Sequence, residues 1–515
     1  MGRPETDARL DDVDVFPART PAEVDREHFR EGASVRFWNE WRFEGTPGAV
    51  KALVDSVTST LASPSDARYW AYHVFRSSWF LGQGAASLLA QTIATRGAGA
   101  NPIGADGGLG TKAAAGARLF AEALTAYKQD LAHINEGKYR PPYDMDPRHR
   151  QFNPLYVADK TARFLSEAAA TLAKNRAARS TGAASGAADD LTKVWMGGGN
   201  IYPDYYLKTF HWQTDGWMSS KSAEVYEVST ETLFLGRQDA MQRTVLVPLK
   251  EWFVEKTKMT KMTTPNDAAV NDAIKADGEG ATLLDLACGT GRFLTFVRDN
   301  YPKMDVTGLD LSPFYLAEAR KNSEYFERLR HRQRRDTTQA SGGGGIHQIA
   351  EAFSRVEGMA KAAGLPLPPF PGTSWDGTAD DDADAGSRVE ELGKCELVHA
   401  KAESMPFPEA SFDVVTCVYL LHEIPAEARR AVAAEVARVL KPGGVLVLAD
   451  SIQLGDRPHL DKHLGRFGDF NEPHYRDYIA SELVSVFGPE GAGLEPWTKE
   501  LCSSTKALSF RKPAA

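Results

Sequence analysis

One short stretch limits the possible folds of this chain more than any other. The apolar run Leu283–Ala287 leads directly into Cys288-Gly289-Thr290-Gly291, and a helical pattern begins at Arg292. The glycines permit a tight turn and let a ligand approach the backbone without a Cβ clash. The helix that follows presents unpaired N–H groups and the positive end of its dipole at the same place. In an open α/β sheet this junction is the crevice where ligands bind. The text downstream keeps alternating. Strands are expected at Asp305–Asp310, Glu396–Ala400, Phe412–Leu421 and Val445–Asp450, and helices at Arg292–Asp299, Pro313–Arg328 and Pro425–Leu440. The fold class is therefore α/β, a doubly wound and mostly parallel Rossmann-like sheet with helices on both faces. Ser312 is placed to cap a helix with Pro313 at its first position, and Pro425 repeats the proline device. Lys441-Pro442-Gly443-Gly444 is expected to stop the last of these helices and turn the chain into the next strand.

Two classes of nucleotide ligand compete for such a crevice. A dinucleotide fingerprint requires G-x-G-x-x-G or G-x-G-x-x-A. This chain has Ala287 for the first glycine and Arg292 for the last small residue, which obstructs close helix–strand packing. Asp285 instead puts a carboxylate on the strand before the turn, which suits a cationic amino group rather than a phosphate. The second strand ends at Asp310, where a carboxylate can accept both hydroxyls of a ribose.

Four ordered motifs then carry a resemblance: LLDLACGTGRF, VTGLDLSPFYLAEAR, AESMPFPEASFDVVTCVYLLHEI and VLKPGGVLVLADS. Together they resemble the class I S-adenosylmethionine-dependent methyltransferases, in particular the small-molecule type of ubiquinone and menaquinone biosynthesis. The resemblance implies S-adenosyl-L-methionine as cofactor. It implies that Asp285 holds the methionine amino group and that Ala287, Gly289 and Gly291 border the amino-acid end. Asp310 would bind the ribose, Leu311 would border the adenine, and Ala402 and Glu403 would meet the adenine edge, with Tyr419 also at the cofactor. Where the family often has Asp or Asn, this chain has Lys401, which offers no acceptor to the adenine amino group. Glu403 or the Ala402 backbone would then read the base.

His422 follows the fourth strand, at the sheet edge where an acceptor should sit. It is a candidate general base, with Glu423 as its orienting carboxylate; the competing reading is a structural histidine shaping the loop before Pro425. His459, His463 and His474 are further candidates that no spacing singles out. Cys288 and Cys417 read as packed residues. No residue is singled out as a metal ligand. Four cysteines far apart, with no C-x-x-C pair, argue against a disulfide framework or a structural zinc and fit a reducing compartment.

Before the sheet the text is helical, with 3- and 4-residue apolar spacing over Val50–Leu61, Tyr69–Thr95 and Ala117–Asn135. The organisation expected is a tail (1–20), a helical N-terminal region (21–192), an aromatic-rich helical connector or lid (193–278) and the α/β domain (279–515). Arg96–Gly116 and Asn175–Asp190 read as flexible loops, because Gly, Ala and Ser cannot bury enough apolar area to offset ordering. An insertion at 328–394 opens with the arginine cluster Arg328–Arg335, read as a solvated helix end beside a disordered insert. Between Trp195 and Phe234 stand nine aromatic residues, which suit either a planar apolar ligand or a packing core. The block around them also resembles a segment ahead of the methyltransferase motifs in some proteins of plants, algae and cyanobacteria.

The net charge of −9 gives no drive toward nucleic acid or anionic membrane. No apolar run is long enough for a transmembrane helix, and residues 1–16 lack a signal-peptide core. Gly2 with Thr6 fits only a crude myristoylation pattern, spoiled by Arg3. A soluble protein of the cytoplasm or plastid stroma is expected. The expected function is methyl transfer to oxygen or carbon of a small lipophilic or phenolic acceptor. The rival is a non-catalytic protein that keeps the fold for binding or assembly.

Overall fold

Residues 17–95, 109–153, 155–167, 201–207, 217–263, 274–340, 392–465 and 472–514 are described by the computed structural model of the chain. Eight strands form one sheet: β1 (Arg30–Glu31), β2 (Thr282–Leu286), β3 (Asp305–Asp310), β4 (Cys395–His399), β5 (Phe412–Val418), β6 (Leu440–Ser451), β7 (Glu495–Cys502) and β8 (Thr505–Arg511). Their order is β1-β7-β8-β6-β5-β2-β3-β4. β2 pairs in parallel with both β3 and β5, and β6 continues the parallel set beyond β5. Only β8 runs antiparallel to β6, and β7 antiparallel to β8. The strand order therefore reverses at β2, which makes the carboxyl ends of β2 and β5 the ligand-binding crevice of an open α/β sheet.

Period-2 alternation divides the sheet residues between two cores. Leu283, Val306, Val414 and Val445 pack on one face beneath Phe293, Phe296, Trp252 and Phe253. Leu284, Leu286, Val415 and Leu446 pack on the other, against Val432 and Val436 of the helix Ala426–Val439. Burial on both faces is why these strands read as nearly continuous apolar runs.

Several expectations change at their edges. The helix at Pro313 runs on to Ala340, through the arginine cluster, instead of ending at Arg328. The helix expected from Ala117 already begins at Leu109, so the end of the Gly/Ala segment is helical. The remainder of that segment, Asn175–Asp190 and residues 341–391 of the insertion lie outside the described residues. Lys441–Gly444 makes no break: β6 starts at Leu440, and the irregularity is absorbed by a register shift against β5 between Phe412 and Val414.

The N-terminal region is not helical throughout, because β1 adds a parallel strand to β7. The helix Pro21–His28 before it opens with a capping box between Thr20 and Glu23. Trp38 is fully buried among Met241, Ile452, Leu501 and Cys502, so the start, middle and end of the chain share a core. Buried ion pairs join the same parts. Arg76 lies 2.6 Å from Glu231 and 2.7 Å from Asp239. Arg292 Nε donates to Asp239 at 3.0 Å, and its other end meets Asp144. Asp25 accepts from Lys499 at 3.0 Å and from Lys506 at 2.8 Å.

Candidate active site

A cleft lies over the carboxyl ends of β2, β3 and β5. Two strand ends that form its floor have left-handed backbones at residues other than glycine, Ala287 (φ 53°) and Tyr419 (φ 59°). Such conformations cost about 1–3 kcal/mol each and cluster at binding sites. Gly289 has a φ of 55°, and a Cβ there would meet nothing closer than Tyr315 at 4.0 Å, so the turn leaves open space toward the cleft.

Asp310, at the end of β3, accepts from Gly289 N and from Ser312 N, each at 2.8 Å. One carboxylate thus fixes both the glycine turn and the start of the next helix, where Ser312 Oγ caps Tyr315 N at 3.2 Å. Burial pushes the Asp310 carboxyl up to about 6, and the two N–H bonds only partly offset it.

The other walls come from the aromatic segment. Tyr205, Tyr206, Trp217 and Tyr226 line the cleft together with Tyr315 and Tyr419. The hydroxyl of Tyr205 donates to Glu403, which draws that segment onto the loop after β4. Trp217, Tyr226 and Tyr315 pack edge to face at 5.1–5.7 Å between ring centroids. Glu227, on the helix Ser220–Leu233, accepts from Thr290 Oγ1 at 3.0 Å and Asn322 Nδ2 at 2.8 Å, pinning that helix over the glycine turn. No local motif marks Glu227. Trp195, Phe210 and Trp212 lie outside the described residues.

Of the residues expected at the site, Ala287, Gly289, Asp310, Leu311, Ala402, Glu403 and Tyr419 line the cleft. Asp285, Gly291 and His422 do not. Asp285 is 1 % exposed and accepts from Thr416 Oγ1 at 2.7 Å, beneath the turn. Burial pushes its carboxyl up to about 7 despite that hydroxyl. Gly291 faces helix packing, since a Cβ there would lie 3.2 Å from Ala319 Cβ.

His422 is buried behind the cleft wall, with Nδ1 2.6 Å from Asp450 Oδ1 and Nε2 3.9 Å from Glu423 Oε1. Its orienting carboxylate is therefore Asp450, from the end of β6, rather than Glu423. Burial pulls the imidazole down, but Asp450 outweighs this, with Glu423 and Glu472 adding, and the group is raised to about 9. It carries its proton at neutral pH, the wrong state for accepting one. None of His459, His463 and His474 lines the cleft. Cys288 and Cys417 are buried with thiols pushed up by burial, which keeps them unreactive.

Two models, each described as a methyltransferase domain, match residues 283–340 and 373–448. Over those residues the sheet domain matches methyltransferase domains. An uncharacterized methyltransferase of Bacillus subtilis, YcgJ, is 41% identical over 87 residues, 17% of this chain and 33% of that protein. A demethylmenaquinone methyltransferase of Bacillus licheniformis is 38% identical over 69 residues, 13% of this chain and 29% of that protein. The chain thus spans about a third of the length of these curated relatives. A solved S-adenosylmethionine-dependent methyltransferase of Methanosarcina mazei aligns over 49% of this chain and all of its own, at 17% identity and a TM-score of 0.27.

The charge of the cleft fits the methyltransferase cofactor, a sulfonium with an amino group. Asp310, Glu403 and Glu423 line it, and no lysine or arginine does so among the described residues. The aromatic faces add a surface that attracts a cation. No helix among the described residues is long and apolar enough to cross a membrane.

Proposed function

We propose that the protein transfers a methyl group from S-adenosylmethionine to oxygen or carbon of a small, lipophilic or phenolic acceptor. The observation that carries this reading is the composition of the cleft: six aromatic side chains and three carboxylates at the switch point of the sheet, with no basic lining residue. Such a lining disfavours an anionic acceptor and suits a neutral ring. The demethylmenaquinone methyltransferases among the relatives bear the name of an acceptor with a lipophilic ring, which agrees in kind.

In this reading Asp310 accepts the ribose hydroxyls, and Ala287 and Gly289 border the amino-acid end. Leu311, Ala402 and Glu403 border the adenine, and Tyr419 lies beside the transferred group. When bound, the cofactor supplies an electrophilic methyl carbon; the C–S electron pair stays on sulfur as the acceptor forms its new bond and gives up its proton. The chain's part is mainly positional. Tyr226, Trp217 and Tyr419 exclude water and hold the acceptor in line, and alignment of this kind contributes roughly 7–11 kcal/mol in favourable cases. Glu423, rather than the charged His422, faces the cleft as a carboxylate able to receive the proton.

The test is incubation of the full chain with methyl-labelled cofactor and a panel of phenols, quinols and sterols. Label appearing on one of these classes is expected. Tight cofactor binding by calorimetry with no label on any acceptor would favour the non-catalytic alternative.

A further inference from the structure

We propose that His422, Glu423 and Glu472 form a site for one divalent transition-metal cation beside the cleft. One donor atom from each of the three lies within 4.8 Å of the other two, and no other such group of three occurs among the described residues. All three are at least nine-tenths buried.

The histidine is already oriented for the task. Asp450 takes Nδ1 at 2.6 Å, which directs Nε2 toward the carboxylates, with Glu423 Oε1 at 3.9 Å, and an ion bound there would displace the Nε2 proton. A carboxylate holding the far nitrogen of a histidine is the usual outer support of a metal ligand. The charge balance points the same way. Around one imidazole lie Asp450 at 2.6 Å, Glu423 at 3.9 Å and Glu472 within 4.8 Å. A buried cluster with this excess of negative charge is stabilised by a cation.

One imidazole nitrogen and two carboxylate oxygens suit Mn²⁺, Fe²⁺ or Zn²⁺ better than a thiolate-seeking or all-oxygen ion. Metal–ligand bonds of about 2.1 Å require the donors to draw in by roughly an ångström, a side-chain adjustment. Glu423 lines the cleft, so the ion's open positions would face the acceptor. There it would polarise a phenolic oxygen and ease loss of its proton. That role rests on the methyltransferase reading, whereas the site itself does not.

The experiment is titration of the chelator-treated full chain with Mn²⁺, without cofactor or acceptor, following the free ion by electron paramagnetic resonance. One ion bound per chain is expected. Glu472→Gln should weaken binding by about tenfold or more while leaving cofactor affinity and the melting temperature unchanged. Absence of stoichiometric binding, or wild-type affinity in both Glu472→Gln and His422→Gln, would overturn the proposal. If a variant fails to fold, wild-type crystals soaked in Mn²⁺ decide. An anomalous peak between the three side chains supports the site, and a peak elsewhere or none overturns it. Metal binding without labelled product would sink the methyltransferase reading alone; labelled product without metal binding would sink only the metal site.

Discussion

Asp310 works in two directions at once. Its oxygens hold the N–H groups of Gly289 and Ser312, yet it lines the cleft. Asp310→Ala should weaken both S-adenosylmethionine and its demethylated product by about 10-fold or more, since charge-assisted bonds contribute ~1.5–3 kcal/mol each. Calorimetry with both ligands checks this, and unchanged affinities would remove Asp310 from the cofactor site. Its pH dependence has a definite sign. Only the carboxylate accepts from two hydroxyls, and burial raises the group to about 6. Cofactor affinity should therefore be flat above neutrality and fall as pH drops through 6, a slope that Asp310→Ala abolishes. Most of the residues expected at the cofactor line the cleft because they sit on local text, at or just after a strand end. Asp285 does not, because β2 and β5 pair it with Thr416, and neighbours across a parallel sheet share a face. That pairing turns its carboxylate into the sheet. Asp450, the partner of His422, was hidden for a related reason: it arrives from the next strand, and no spacing within one motif records it.

Among the elements, the helix Arg292–Asn300 and the helix Pro313–Ala340 come together beside Gly291 and again where Arg298 donates to Ser323 and Glu327 at 2.8 Å. Gly291 has a φ of 74°, and its missing side chain leaves room for Ala319. Gly291→Ala should cost ~1–2 kcal/mol from the left-handed backbone alone, with the close Ala319 contact adding to it. Urea unfolding measures the loss, and a midpoint equal to wild type would show that the two helices separate freely. Strand and helix order was readable here because burial on both faces writes apolar runs between clear turn signals. Boundaries were less readable. Helical propensity carries past Arg328 because arginine is a good helix former, and Lys441–Gly444 joins β6 because its backbone pairs beside a register shift.

For the whole molecule, the division into an N-terminal region, a connector and a sheet domain hides one shared set of contacts. Arg292, next to the glycine turn, reaches Asp239 and Asp144, and Arg76 reaches Asp239 and Glu231. Arg292→Ala would leave buried carboxylates short of a partner, a loss of roughly 3–5 kcal/mol. It should lower the denaturation midpoint as seen by both tryptophan fluorescence and circular dichroism, in one coincident transition. Two separated transitions would mean that the regions are energetically independent. Burial of charge across such distances in sequence leaves no periodic signal, so composition and spacing could not foretell it.

The pairing of β1 with β7 also carries a consequence in time. Arg30 and Glu31 lie opposite Thr498 and Lys499, and Asp25 waits for Lys499 and Lys506. At about 5–20 residues added per second, roughly half a minute to a minute and a half of translation separates the partners. Throughout that interval the nascent chain holds an unmatched acid at Asp25 and an indole at Trp38 that still lacks Leu501 and Cys502. The earlier-made half of this pairing is thus completed only when the later-made half emerges.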